Sequence, residues 1–255
     1  MMWKVVSASA VGTSHTSNGA ACQDTCFVDV MEGNDCQKYL VCLVSDGAGS
    51  AVFAEEGSDL ACSTAMESIE VSVRDDATCL GLEATVSKWV TDVQAAISAV
   101  AVSRGATPRD FACTLLGAVI GEDIATFFQI GDGAIVVSNG EVQGVVFWPE
   151  AGPYANMTHF VTDADACSSL QSISVTGQMK ELALFSDGLQ RLALSFETKL
   201  PHHPFFEPMF RVLRTRTPDE CDGLSSQLIQ FLCSPQVNER TDDDKTLVLA
   251  TRQTE

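Results

Sequence analysis

Three times in this chain an apolar run stops at an aspartate followed by glycine. The runs are Val41-Cys42-Leu43-Val44-Ser45-Asp46-Gly47, Phe127-Phe128-Gln129-Ile130-Gly131-Asp132-Gly133 and Leu182-Ala183-Leu184-Phe185-Ser186-Asp187-Gly188. A mirror case closes the set, with Asp242-Asp243-Asp244 just before Thr246-Leu247-Val248-Leu249-Ala250. Short apolar runs bounded by turn residues read as buried strands. If these strands share sheets, their ends gather carboxylates at one place. A rigid strand fixes where its terminal carboxylate points, and glycine lets the backbone turn tightly and expose a carbonyl. Gathered carboxylates repel one another unless a cation sits between them. An oxygen-only ligand set selects Mg²⁺, Mn²⁺ or Ca²⁺ over zinc. Any one Asp-Gly after a strand is equally well explained as a turn, so the argument rests on the repetition.

The remaining elements frame these runs. Strands are expected at Trp3 to Ser9, Thr25 to Val30, Cys113 to Ile120, Ala134 to Ser138 and Gln143 to Trp148, with a hairpin at Asn139-Gly140. Apolar residues at helical spacing predict helices from Phe53 to Val73 and Leu82 to Val102, and a mostly helical stretch from Asp219 to Cys233. Gly12 to His15 reads as turn-rich and Pro149 to Ala166 as irregular. His202-His203, among Pro201, Pro204 and Pro208, reads as loop. The order is strand-rich, two helices, strand-rich, helix, strand, with no linker or composition break. That predicts one α+β domain over 1–255, dominated by antiparallel hairpins.

Composition narrows the function. The formal net charge of −19 makes nucleic acid and anionic membranes poor partners. No apolar run approaches the ~20 residues of a membrane span, and no secretory leader is visible, so a reducing cytoplasm is expected. The ten cysteines form no Cys-x-x-Cys pair, and several sit inside apolar runs as small buried hydrophobes.

Ser45-Asp46-Gly47-Ala48-Gly49-Ser50, Gly131-Asp132-Gly133-Ala134, Phe185-Ser186-Asp187-Gly188-Leu189 and Asp243-Asp244-Lys245-Thr246 stand in the order and spacing of the type 2C (PPM) phosphatase motifs. Cys22-Gln23-Asp24 stands where that family has its early acidic pair. The chain thus resembles metal-dependent serine/threonine protein phosphatases of a bacterial-style branch, from about Gly12 to Ala250. The resemblance implies a four-layer α-β-β-α sandwich of two antiparallel sheets flanked by helices. It implies two Mg²⁺ or Mn²⁺ ions and a weaker third. Asp46 would bridge both metals and the Gly47 carbonyl would ligate the second. Asp187 and Asp243 would complete the first, and Asp24 would serve the second, directly or through water. Asp132, with Asp187, would hold the third. The implied partners are a phosphorylated protein and a separate serine/threonine kinase, and Trp148 to Ala166 would form a flap beside the site.

Departures from the family pattern set further expectations. Gln23 stands where glutamate is frequent, Asp244 where asparagine is usual, and Ser50 where a glycine is common. No arginine precedes Cys22, and His15 is the natural substitute, either binding a phosphate oxygen or protonating the leaving alkoxide. Gln23 and the missing arginine leave open a non-catalytic binding module. A phosphotransferase with an aspartate nucleophile would want a second acid two residues along, which neither Asp46 nor Asp187 has.

Overall fold

The computed structural model describes residues 2–149, 158–221 and 223–253. Along the chain run β1 (Trp3–Ala10), α1 (Thr13–Asn18), β2 (Asp24–Glu32), β3 (Lys38–Asp46), α2 (Ala54–Asp76) and α3 (Glu83–Arg104). Then come β4 (Leu115–Ile120), β5 (Ile124–Ile130), β6 (Ala134–Ser138), β7 (Gln143–Val145), α4 (Ala166–Ser169), β8 (Gln171–Thr176) and β9 (Glu181–Phe185). Past it lie α5 (Gln190–Ala193), β10 (Leu194–Ser195), β11 (Leu200–Pro201), α6 (His203–Thr215), α7 (Pro218–Cys221), α8 (Leu224–Leu232), α9 (Pro235–Asn238) and β12 (Lys245–Arg252).

Two five-stranded antiparallel sheets form the centre, in the orders β1-β12-β9-β6-β7 and β2-β3-β4-β5-β8. Side-chain alternation explains why they stack. On β3, Leu40, Cys42 and Val44 face inward, where they meet Leu182 and Leu184 of β9 and Val248 of β12. The intervening Val41 and Leu43 face outward and pack under α2 and α3 against Ile69, Trp89 and Val93. On the other side Ala183, Phe185, Leu247 and Leu249 are covered by Phe206 and Phe210 of α6 and Leu228 of α8. A strand buried on both faces must be apolar throughout, which is why β3 and β9 lack polar alternation. The four layers and the antiparallel pairing match the expected α+β architecture.

Local differences have physical causes. Gly12 to His15 opens α1, a six-residue helix with no buried side chain, so no apolar stripe announces it. His203 is not in a loop but begins α6. Pro204 is harmless in the first turn, and burial of Phe206, Phe210 and Leu213 outweighs the break that Pro208 would otherwise impose. Pro208 is exposed and has no N–H to donate to the carbonyl of Pro204, itself an exposed residue. Pro208→Ala is therefore expected to stabilise the fold by about 2 kcal/mol, read as a higher urea midpoint; a lower midpoint would show that the ring packs usefully where it stands. The strand expected to reach Trp148 stops at Val145. β8, an edge strand with a mostly exposed polar sequence, carries no signal that separates it from loop. Of the expected flap, residues 150–157 lie outside the described residues.

Candidate active site

The strand ends converge as their sequence pattern suggested. Asp24 and Asp46 are directly opposite one another at the end of the β2–β3 ladder. Asp187 follows β9 and Asp243 precedes β12, two strands paired in the other sheet. A cleft of about 230 Å³ between the sheet ends is lined by His15, Asp46, Gly47, Asp132, Asp187 and Asp243. Asp24 does not line it. It is 5% exposed and borders a second acidic cleft with Glu55 and Asp59.

Several of these aspartates are held from behind, through the backbone or the carboxylate. The Asp46 N–H donates to Thr114 Oγ1 (3.0 Å) and the Asp46 carbonyl accepts from the Thr114 N–H (2.8 Å). Ser186 Oγ donates to Asp24 Oδ2 at 2.6 Å and itself accepts the Thr246 N–H at 3.0 Å, so one buried hydroxyl ties the two sheets together at the site. Thr158 Oγ1 donates to Asp132 Oδ2 at 2.6 Å, and Gln190 Nε2 donates to the Asp132 carbonyl. Gly47 is needed for room rather than for a special dihedral. A Cβ there would stand 2.7 Å from the Ala54 carbonyl oxygen and 2.8 Å from that of Gln23. Its N–H donates to the same Gln23 carbonyl at 3.1 Å.

Electrostatics sets these acids apart from surface ones. Burial, then the charges of Asp24, Asp187 and Asp243, hold the Asp46 carboxyl well above the usual range. Burial pushes Asp24 up to about 7, against the lowering effect of the Ser186 hydroxyl. Burial and then Asp132 and Asp243 push Asp187 up to about 6. Like charges opposed in a buried place are unfavourable without a counter-charge. Three buried oxygens, Asp24 Oδ1, Asp187 Oδ1 and Gln23 Oε1, have no hydrogen-bond donor. Orphaned acceptors beside mutually repelling carboxylates fit a hard divalent cation. Among the described residues no three acidic, histidine or cysteine side chains already stand in coordinating positions, so an ion would draw them in.

Comparison with known proteins decides the family. The profile of protein phosphatase 2C matches residues 11–233. The chain belongs to the protein phosphatase 2C family. It is 45% identical over 251 residues to serine/threonine-protein phosphatase 3 of Escherichia coli, spanning 98% of both chains. The fold is shared with a bacterial serine phosphatase (16% identity, TM-score 0.67, all of both chains). It is shared too with the serine/threonine phosphatase Stp1 of Staphylococcus aureus (16% identity, TM-score 0.66, all of this chain and 96% of that one). As a family member the chain is a protein phosphatase.

Sequence reasoning missed the supporting hydroxyls. Ser45 and Ser186 both precede an Asp-Gly, and that repetition was a usable signal. Ser45 Oγ donates to the Thr114 carbonyl at 2.6 Å, as Ser186 Oγ does to Asp24. Thr114 and Thr158 had none. Cys22, beside Asp24, is half-buried; burial and the charges of Asp24 and Asp244 push its pKa up, which makes it unreactive.

Proposed function

We propose that this phosphatase hydrolyses phosphoserine and phosphothreonine on proteins at a centre of two Mg²⁺ or Mn²⁺ ions. The observation that carries this reading is the set of buried, mutually repelling strand-end aspartates with orphaned oxygens, shared between the two sheets. Asp46 would bridge the ions, with the Gly47 carbonyl and Asp24, directly or through water, serving one and Asp187 and Asp243 the other. Asp132 and Asp187 would hold a weaker third. The ions, when bound, acidify a water and neutralise phosphoryl charge. The chain's own part is to hold these oxygens rigidly, keep the Asp46 strand in register through Thr114, and present His15 to the phosphoryl group in place of an arginine. The 45% identity to an Escherichia coli serine/threonine-protein phosphatase supports the substrate class. The substrate is then a phosphorylated protein made by a separate kinase, in the cytoplasm. No helix among the described residues is long and apolar enough to cross a membrane.

Purified protein is expected to dephosphorylate a phosphothreonine peptide with Mn²⁺ or Mg²⁺, to lose that activity in EDTA, and to leave a phosphotyrosine peptide nearly untouched. His15→Ala is expected to lower turnover by about 10²-fold, the usual worth of a positioned acid–base group. Metal-independent turnover would sink the ion-centre reading, near-normal turnover of His15→Ala would remove His15 from the mechanism, and no turnover with any metal would favour a binding module.

A further inference from the structure

Asp244 follows Asp243 in the chain but does not itself line the cleft, and it is 3% exposed. Its Oδ1 accepts the Gly12 N–H at 2.6 Å and its Oδ2 accepts the Gln23 N–H at 2.6 Å. The same Oδ2 stands 2.9 Å from His15 Nδ1. The contact is close but makes no hydrogen bond of ordinary geometry, and the buried Nδ1 has no other hydrogen-bond partner among the described residues. The rest of α1 is held just as exclusively by this segment. Ser14 donates twice to the Asp242 carbonyl, from N–H at 2.9 Å and from Oγ at 2.7 Å. Since α1 buries no side chain, hydrophobic packing does not set where His15 sits; polar contacts to Asp242 and Asp244 do.

We infer that Asp244 is the positioning residue for His15: it turns Nδ1 toward itself and so leaves Nε2 as the nitrogen offered to the phosphate cleft. The ring's other nitrogen decides which tautomer presents itself to a substrate. A carboxylate accepts only and therefore demands a proton on Nδ1, whereas an asparagine amide can donate there and reverse the tautomer. The inference rests on the reading that His15 meets the phosphoryl group.

The test is Asp244→Asn, which is isosteric but keeps an acceptor for only one of the two backbone N–H groups, Gly12 or Gln23. In whole protein with Mg²⁺, labelled with ¹⁵N at histidine, the His15 signals are identified by their loss in His15→Gln. Wild type is expected to show the neutral ring protonated at Nδ1, and Asp244→Asn to shift it toward the Nε2-protonated form. Turnover of a phosphothreonine peptide at saturating metal is expected to fall about 10–100-fold in Asp244→Asn, the range for a group that orients a functional one. The same substitution is expected to cost nothing further in a His15→Ala background. An unchanged tautomer would overturn the inference. So would an equal further loss in the double variant, which would mean that Asp244 acts through Gly12 and Gln23. Should His15→Ala alone keep full turnover, the His15 reading fails and the tautomer comparison by itself decides what Asp244 does.

Discussion

Asp46→Asn is expected to lower turnover of a phosphothreonine peptide by about a thousandfold while making the metal-free protein more resistant to heat. On the proposed two-ion reading, the loss would follow from removing the charge that Asp46 would share between the ions, worth several kcal/mol of transition-state stabilisation, at 1.36 kcal/mol per tenfold. The gain follows from electrostatics. Asp46 is held above the carboxylate range by burial and by Asp24, Asp187 and Asp243. Asp24 and Asp187 are raised likewise, to about 7 and about 6 from an ordinary 3.8. Raised folded-state values mean that the folded chain binds more protons than the unfolded one. The stability from these groups is therefore fully present below about pH 4 and lost as pH rises through 6 and 7. An amide at position 46 removes one of the repelling charges. Melting wild type and variant in EDTA from pH 5 to 8 should show the variant's advantage widening with pH. A variant less stable than wild type at pH 8 in EDTA would mean that these acids are not in mutual conflict.

Gly57→Ala should be among the most damaging single-methyl additions outside the cleft. In an ordinary exposed helix the change would stabilise by about 1 kcal/mol. Here α2 runs against the segment before β4, and a Cβ on Gly57 would stand 2.2 Å from the Phe111 carbonyl oxygen and 2.9 Å from its carbon. Those are backbone atoms that have no rotamer to escape into. Overpacking of this kind costs about 3 kcal/mol or more net, visible as a drop in the urea midpoint. Turnover should fall too, because the next residues are tied to the catalytic strand: Ala48 N–H donates to the Ala112 carbonyl at 2.8 Å, and Thr114 holds Asp46. A rise in stability would show that the helix slides aside freely.

What could be read from the chain, and what could not, divides by mechanism. Burial on both faces writes itself into sequence as continuous apolar runs, so β3, β4, β5 and β9 were legible, as were the aspartates at the ends of β3, β5 and β9. β8 was not, because an exposed edge strand such as Gln171-Ser172-Ile173-Ser174 obeys no hydrophobic period that distinguishes it from loop. α1 was illegible because its support is backbone and carboxylate hydrogen bonds rather than packing. α6 was misread because Pro204 and Pro208 are strong local signals, and the burial of Phe206 and Phe210 against the sheet is a tertiary one. At the site, carboxylates announce themselves by charge and position. The hydroxyls of Ser186 and Thr158, and the grip of Asp244 on the Gly12 and Gln23 N–H groups, depend on residues far along the chain.

The pairing of β1 with β12 has a consequence for how a cell comes by a working copy. Asp244 grips the Gly12 N–H across 232 positions, and β12 lies between β1 and β9 in its sheet. Such non-local closure places the chain among slow folders, in milliseconds to seconds. During synthesis a nascent chain that has already emerged with Asp24 and Asp46 still lacks Asp187 and Asp243. On the proposed centre, a fragment or stalled nascent chain that ends before β9 would carry the recognisable early motifs without the complete set of acids, and activity would be expected only once β12 has slotted into the sheet.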